Sequence, residues 1–188
     1  AWFGRENGLP INEIFCASNV NDVLTRFISS GKLEPKETIP SVAPSMDIQI
    51  PSSLERLIYN LEGEASLFYD QLQSEKIANL TEESTVKLQN IFSSLSFDDE
   101  MILKEIELFY KNYGWIIDPH TATALSSSTS FSSNLPVVGV ATASPEKFSD
   151  VISKIIDEFT VENEKNEEKF LIQKANSSLV ENTIKEHL

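Results

Sequence analysis

The sequence of 188 residues has one cysteine, Cys16, so no disulfide can close within it. A lone thiol suits a reducing setting, and a cytoplasmic location is expected. Histidine is almost as scarce. His120 and His187 stand far apart, and with no cysteine pair beside them no metal site is expected. Cations are few as well: 15 Lys and Arg face 29 Asp and Glu, a net charge of −14. Binding to nucleic acid needs clustered Lys and Arg to neutralise phosphates, so no nucleic acid partner is expected. The strongest acidic bias lies in Asp157-Glu158, Glu162, Glu164 and Glu167-Glu168. No apolar run approaches the roughly 20 residues of a bilayer span, so no membrane partner is expected. Arg5 and Glu6 interrupt the amino end before the apolar core of a secretory leader could develop. With only 6 Gly and 8 Pro the chain is not collagen-like. What is present, 40% hydrophobic residues with 9% aromatics, is the composition of a globular protein that can bury a core. The length suits one domain with room for a sub-domain.

The first residue is Ala1 rather than Met. Ala1 to Pro10 reads as the end of a helix capped by Gly8 and stopped by Pro10, so the expectation is that the chain is a fragment. Ile11 to Ser18, apolar and bounded by turn residues, suits a buried strand of a largely parallel sheet. Asn21 or Asp22 can cap a following helix, in which Val23, Leu24, Phe27 and Ile28 recur at helical spacing until Gly31 ends it. Strand, polar turn and helix make half of a βαβ unit, and ligands of open α/β sheets gather at such strand ends.

Lys32 to Pro51 holds four of the eight prolines and reads as an ordered loop. From Ser52 to Tyr113 the spacing is helical, including Val86, Leu88, Ile91, Phe92 and Leu95, with helix starts at Thr81-Glu82-Glu83-Ser84 and Phe97-Asp98-Asp99-Glu100. Pro119 fits the first turn of a helix capped by Asp118. Leu135 to Thr142, nearly all apolar and β-branched, reads as a buried parallel strand. Ser144-Pro145 opens a helix with Val151, Ile155 and Phe159 at helical spacing. The run 126–133 is a low-complexity polar linker, and Glu162 to Leu188 suggests one or two surface helices. The expected fold class is therefore α/β. Its parts are an α/β portion over 1–61, a helical insertion over 62–113, a return to the sheet over 114–161 and a helical tail over 162–188.

Composition and spacing carry the chemistry no further. No Ser/His/Asp arrangement stands out, since only His120 could act as a nearby base. Gly4 and Gly8 match no phosphate-binding loop. Adjacent carboxylates such as Asp98-Asp99 and Glu82-Glu83 point different ways on a helix and read as solvated helix starts.

A set of local strings in order goes further. Ala17-Ser18-Asn19-Val20-Asn21-Asp22-Val23-Leu24-Thr25-Arg26-Phe27 resembles A-T-N-x-N-D-x-x-x-R-F. Ala43-Pro44-Ser45-Met46-Asp47-Ile48 with Ser53-Leu54-Glu55-Arg56-Leu57 is similar to S-P-S-M-D-I and N-F-E-R-L. Ile117-Asp118-Pro119-His120-Thr121-Ala122 resembles I-L-D-P-H-T-A, and Ala141 to Phe148 resembles T-A-H-P-A-K-F. The family so resembled is threonine synthase, in the form typical of fungi and many bacteria. The likeness is weakest over 62–112 and in the acidic tail.

The resemblance implies part of a fold-type II pyridoxal-phosphate enzyme, in which a mostly parallel sheet with flanking helices forms the large domain. The implied activity converts O-phosphohomoserine and water into threonine and phosphate, with pyridoxal 5'-phosphate as cofactor. By resemblance, Thr121 would contact the pyridine nitrogen, a neutral hydroxyl holding the ring without fully protonating it. Asn19, Asn21 and Asp22 fall near the expected cleft, where turn and cap duty is the competing role. Ser45 and Asp47 sit in a loop that could line the substrate pocket. His120 is expected to orient the turn rather than transfer protons. The family's cofactor lysine and its Gly-Asn-Phe-Gly phosphate loop have no counterpart here, so no catalytic residue is named in this chain and the segment by itself is expected to be inactive. Ser144 stands where the family has a histidine. Oligomeric state is not set by any of these residues. Two alternatives stand beside this reading: a related phospho-lyase acting on another small phosphorylated amino acid, and a non-catalytic remnant or interaction module.

Overall fold

A computed structural model describes residues 1–127 and 136–156. A short helix α1 (Trp2–Glu6) is followed by Gly8 at φ +92, and the chain then enters strand β1 (Ile14–Ser18). Helix α2 (Val23–Ser30) ends at Gly31, whose φ of +71 is the left-handed conformation that glycine adopts without strain. Two-residue strand β2 (Lys32–Leu33) and a 3₁₀ turn at Pro44–Met46 interrupt the expected loop. Helices α3 (Leu54–Glu62) and α4 (Ser66–Glu75), strand β3 (Ala78–Asn79), helix α5 (Glu82–Gln89), strand β4 (Phe92–Ser96) and helix α6 (Asp99–Tyr113) follow. Helix α7 (Pro119–Ser126), a 3₁₀ turn at Pro145–Phe148 and helix α8 (Ser149–Ile152) complete the described elements.

The fold is mixed α/β with a small parallel sheet. β1 and β4 pair in parallel with Ile14 opposite Phe92 and Ser18 opposite Ser96, while β2 and β3 form a two-residue antiparallel pair. Successive strand residues point to opposite faces of a sheet. Accordingly Cys16 packs on one core, built from Val23, Phe27, Leu33, Ile58, Phe68 and Leu88 among others, and Ala17 on a second, built from Phe97, Ile102, Ile106, Ala122, Ile152 and Ile156. Helix α7 packs on α6 and on β1. The sheet thus separates two apolar layers.

Several helix signals act as the sequence leads one to expect. The Thr81 hydroxyl accepts from Ser84 N at 3.3 Å, Asp98 accepts from Met101 N at 2.8 Å, and Asp118 caps α7 with Pro119 in its first turn. Three expectations are corrected. Phe92 and Leu95 lie in β4, not in a helix: α5 closes at Asn90, and a parallel neighbour offers the next backbone groups a ladder that overrides their 3.6-residue spacing. The described part of the expected strand 135–142 carries no strand. Residues 136–142 are exposed, Val138 by 84%, and no described strand lies beside them, so their backbone has no ladder to join. They do pass close to α7: a Cβ on Gly139 would come within 2.9 Å of the Leu125 side chain. Lastly, the helix expected to run on through Val151 and Ile155 ends at Ile152; Ile152 and Ile156 are buried in the second core, and Ile155 is partly buried against it. That helix is a single turn, so its packing is set by the second core rather than by a repeating stripe. Leu135, Phe159, most of the 126–133 linker and the whole 162–188 tail fall outside the described residues.

No described helix is long and apolar enough to cross a membrane. Among the described residues no group of three or more His, Cys, Asp or Glu side chains is placed to hold a metal ion.

Candidate functional site

Asn19 and Asn21 follow directly on the carboxyl end of β1 and are 0% and 4% exposed. Buried carboxamides need partners, and these find them in the 39–49 loop. Asn19 Nδ2 donates to Asp47 Oδ1 at 2.7 Å and to the Ser41 hydroxyl at 2.7 Å. Asn21 Nδ2 donates to the same Asp47 oxygen at 3.0 Å and to the Ile39 carbonyl at 2.8 Å. Asn21 Oδ1 accepts from Ile39 N at 2.9 Å and from Gln49 Nε2 at 3.2 Å. Ser41 supplies two more donors to Asp47, its hydroxyl at 2.7 Å and its backbone N–H at 3.0 Å. The carboxylate is thus held by neutral dipoles, which share its charge and shape the loop around it.

A second centre is the start of α7. Asp118, 1% exposed, accepts from His120 N at 2.9 Å and from Thr121 N at 3.4 Å, the arrangement of a helix cap. Its Oδ1 also stands 2.9 Å from His120 Nδ1, and its Oδ2 accepts the Thr121 hydroxyl proton. Burial alone would raise the Asp118 carboxyl. The bonds from the His120 ring and the Thr121 hydroxyl, with those from both backbone N–H groups, outweigh burial and hold it below its ordinary value.

The two centres are joined. Ser45 N donates to His120 Nε2 at 3.1 Å, across 75 positions of sequence, and the Phe148 ring lies against the His120 ring at 4.7 Å. Asn19, Asn21, Ser45, Asp47, His120 and Thr121 therefore come together, with Phe148 at the far side. Asp22 does not join them. It takes the capping position of α2 without a capping bond and instead pairs with Arg26 at 2.9 Å, one turn along. Ser144 precedes the Pro145–Phe148 turn and makes no side-chain capping bond there. Ser41 and Gln49 are members that sequence reasoning missed, and no local signal marks either. Asp118 was legible as a helix cap, whereas its hold on the His120 and Thr121 side chains was not.

No family model matches the chain. Threonine synthase of Pseudomonas aeruginosa is 30% identical over 159 residues, covering 81% of the chain and 34% of that protein. A crystal structure of pyridoxal-phosphate-bound threonine synthase from Brucella melitensis superposes with a TM-score of 0.77 at 29% identity, covering 82% of the chain and 34% of its counterpart. For the yeast threonine synthase structure the TM-score is 0.81 at 24% identity, covering 98% of the chain and 44% of its counterpart, a likeness of fold.

A parallel strand pair between two apolar layers makes this an α/β protein, and its similarity to the Brucella melitensis structure relates it to the pyridoxal-phosphate-dependent threonine synthases. The chain belongs to the threonine synthase family. It spans between about a third and under a half of the length of the relatives named here.

Proposed function

We propose that this chain forms part of a threonine synthase, which converts O-phosphohomoserine and water into threonine and phosphate, and that it supplies the pocket wall facing the cofactor ring. The observation that carries this reading is the meeting of Asn19, Asp47, His120 and Phe148 in one cluster, each drawn from a different family-like string. In the same reading β1 and β4 are portions of the mostly parallel sheet of a fold-type II large domain, and the chain divides into 1–61, 62–113, 114–161 and 162–188.

The residues fit such a cofactor. Thr121 is buried and gives its only hydroxyl proton to Asp118, which leaves its oxygen lone pairs for an N–H donor such as a protonated ring nitrogen. That polarity differs from a hydroxyl that donates to a bare nitrogen, and it follows from the Asp118 carboxylate behind it. Pyridoxal phosphate, when bound, supplies the electron sink that stabilises carbanions. Asp118 orients the Thr121 hydroxyl and His120 holds the turn. The Asp47 hub fixes the loop at the strand ends, where Ser45 would line the substrate side. No lysine in this chain is assigned to bond the cofactor, and the segment by itself should be inactive.

The test is made on the protein expressed from the complete reading frame that includes this segment. Phosphate release from O-phosphohomoserine, with threonine as product, is expected, and Thr121→Ala should shift the cofactor absorbance. Cofactor binding without phosphate release would favour a related phospho-lyase with another phosphorylated amino acid as substrate. Failure to bind the cofactor would favour a non-catalytic role.

A further inference from the structure

We propose that His120 is a positioning residue, held as the neutral Nδ1–H tautomer, that pins the Pro44–Met46 turn to the start of α7 through the Ser45 backbone. The two ring contacts determine the tautomer between them. A backbone N–H can only donate, so His120 Nε2, 3.1 Å from Ser45 N, must present a lone pair. An ionised carboxylate can only accept, so Nδ1, 2.9 Å from Asp118 Oδ1, must carry the proton. The opposite tautomer would set lone pair against carboxylate and N–H against N–H. The doubly protonated ring would keep the Asp118 contact and lose the Ser45 one. With both nitrogens engaged and the Phe148 ring on its face, this imidazole is a strut, and it can exchange a proton at Nε2 only by releasing Ser45.

What the strut holds is specific. The loop has a separate anchor, Asp47 on Asn19 and Asn21, two positions beyond Ser45. His120 therefore governs the Ser45 side of the loop alone, including the exposed Ser45 hydroxyl, which makes no hydrogen bond among the described residues. The significance of that hydroxyl as a lining group rests on the function proposed above, whereas the bond between Ser45 and His120 does not.

The experiment uses the protein expressed from the complete reading frame that includes this segment, labelled with nitrogen-15. A through-hydrogen-bond coupling between Ser45 N and His120 Nε2 is expected, together with ring signals of one protonated Nδ1 and one bare Nε2. A proton on Nε2, or no coupling, would overturn the proposal. His120→Gln keeps an acceptor oxygen and an N–H donor on one side chain, while His120→Leu keeps neither. Amide exchange at Ser45 should quicken roughly five- to tenfold in the Leu variant, the scale of one lost neutral hydrogen bond, and stay within about twofold in the Gln variant. The Ile39 amide, held by Asn21, should be unchanged in both. Equal exchange at Ser45 in all three proteins would overturn the proposal, and if the Leu variant does not fold, the coupling and the Gln variant decide. Absence of the coupling leaves the cofactor reading standing, and absence of phosphate release in the complete protein leaves the coupling standing.

Discussion

Asp47 Oδ1 lies 2.7 Å from Asn19 Nδ2, joining the carboxyl end of a strand to a loop residue 28 positions later. The same oxygen takes Asn21 and Ser41, so one carboxylate determines the path of the loop that faces α7.

Removing that hub should be costly. In Asp47→Ala the Asn19 amide keeps Ser41 Oγ and the Ala43 carbonyl, but the Ser41 backbone N–H loses its Asp47 acceptor, and an unsatisfied buried donor costs about 1–3 kcal/mol. Thermal unfolding should fall by about 2–4 °C for each kcal/mol in a chain of this size. Asp47→Asn keeps one carbonyl acceptor and should lose less. A melting point for Asp47→Ala equal to that of the parent would show that the loop finds other acceptors.

The Asp118 cap should give the protein an acid-sensitive limb. Its folded carboxyl titrates below the ordinary value of 3.8 because the bonds from His120 and Thr121 outweigh burial. The stability it contributes is therefore present above the unfolded value and is lost as pH falls through the folded value. Urea midpoints of the parent should drop more steeply below pH about 4 than those of Asp118→Asn, which should also be less stable at neutral pH by about 1–2 kcal/mol because the carboxylate's bonds from the His120 ring and the Thr121 hydroxyl are weakened. Parallel profiles for the two proteins would refute this account.

Gly31 should resist substitution for two separable reasons. Its φ is +71, and a Cβ there would stand 2.1 Å from Thr85 Oγ1. Gly31→Ala should cost about 1–2 kcal/mol for the left-handed backbone alone, with the collision added to it. Pairing it with Thr85→Ala relieves the collision with the hydroxyl and not the backbone strain, so a denaturation cycle over the four proteins should show partial recovery. Strict additivity would mean that Thr85 moves aside without cost.

Burial against the first core pushes the Cys16 thiol up to about 11 from the ordinary 9.0. The thiolate is the reactive form, so alkylation of the folded chain near pH 8 should be far slower than in urea. Raising the pH should speed the folded reaction beyond the point at which the unfolded thiol has levelled off. Equal rates at pH 8 would place the thiol outside the core.

Ile106 is fully enclosed in the second core, beneath the helix that carries Asp118, His120 and Thr121. Truncation to Ala should cost about 2–5 kcal/mol, the range for large-to-small changes in a core. Chemical denaturation measures it directly. A loss under 1 kcal/mol would mean that α6 and α7 collapse together over the void.

How much was legible follows from how far each cause reaches along the chain. The caps at Thr81, Asp98 and Asp118, the stop at Gly31 and the helical stripes of α2, α3 and α6 depend on neighbours within a turn or so, and those neighbours are written in order. Asn19 and Asn21 could be placed at a strand end for the same reason. Phe92 to Ser96 misled, because their spacing fits a helix until β1 is brought alongside. Residues 136–142 misled in the other direction, since β-branched composition favours a pleated surface but provides no partner strand. Asp22, next in line to Asn21, was drawn away by Arg26, a nearer charge.

By itself the sequence determined the α/β class, the helix ends and the order of four family-like strings, all properties of neighbouring residues and their side-chain chemistry. Only the tertiary structure decided that Asp47 would serve two asparagines, that Asp118 would take the Thr121 proton and that Ser45 would meet His120. The physical reason is that hydrogen bonds and strand ladders join groups by distance in space. Contacts spanning 28 and 75 positions exist only after the two apolar cores have packed on either face of the sheet.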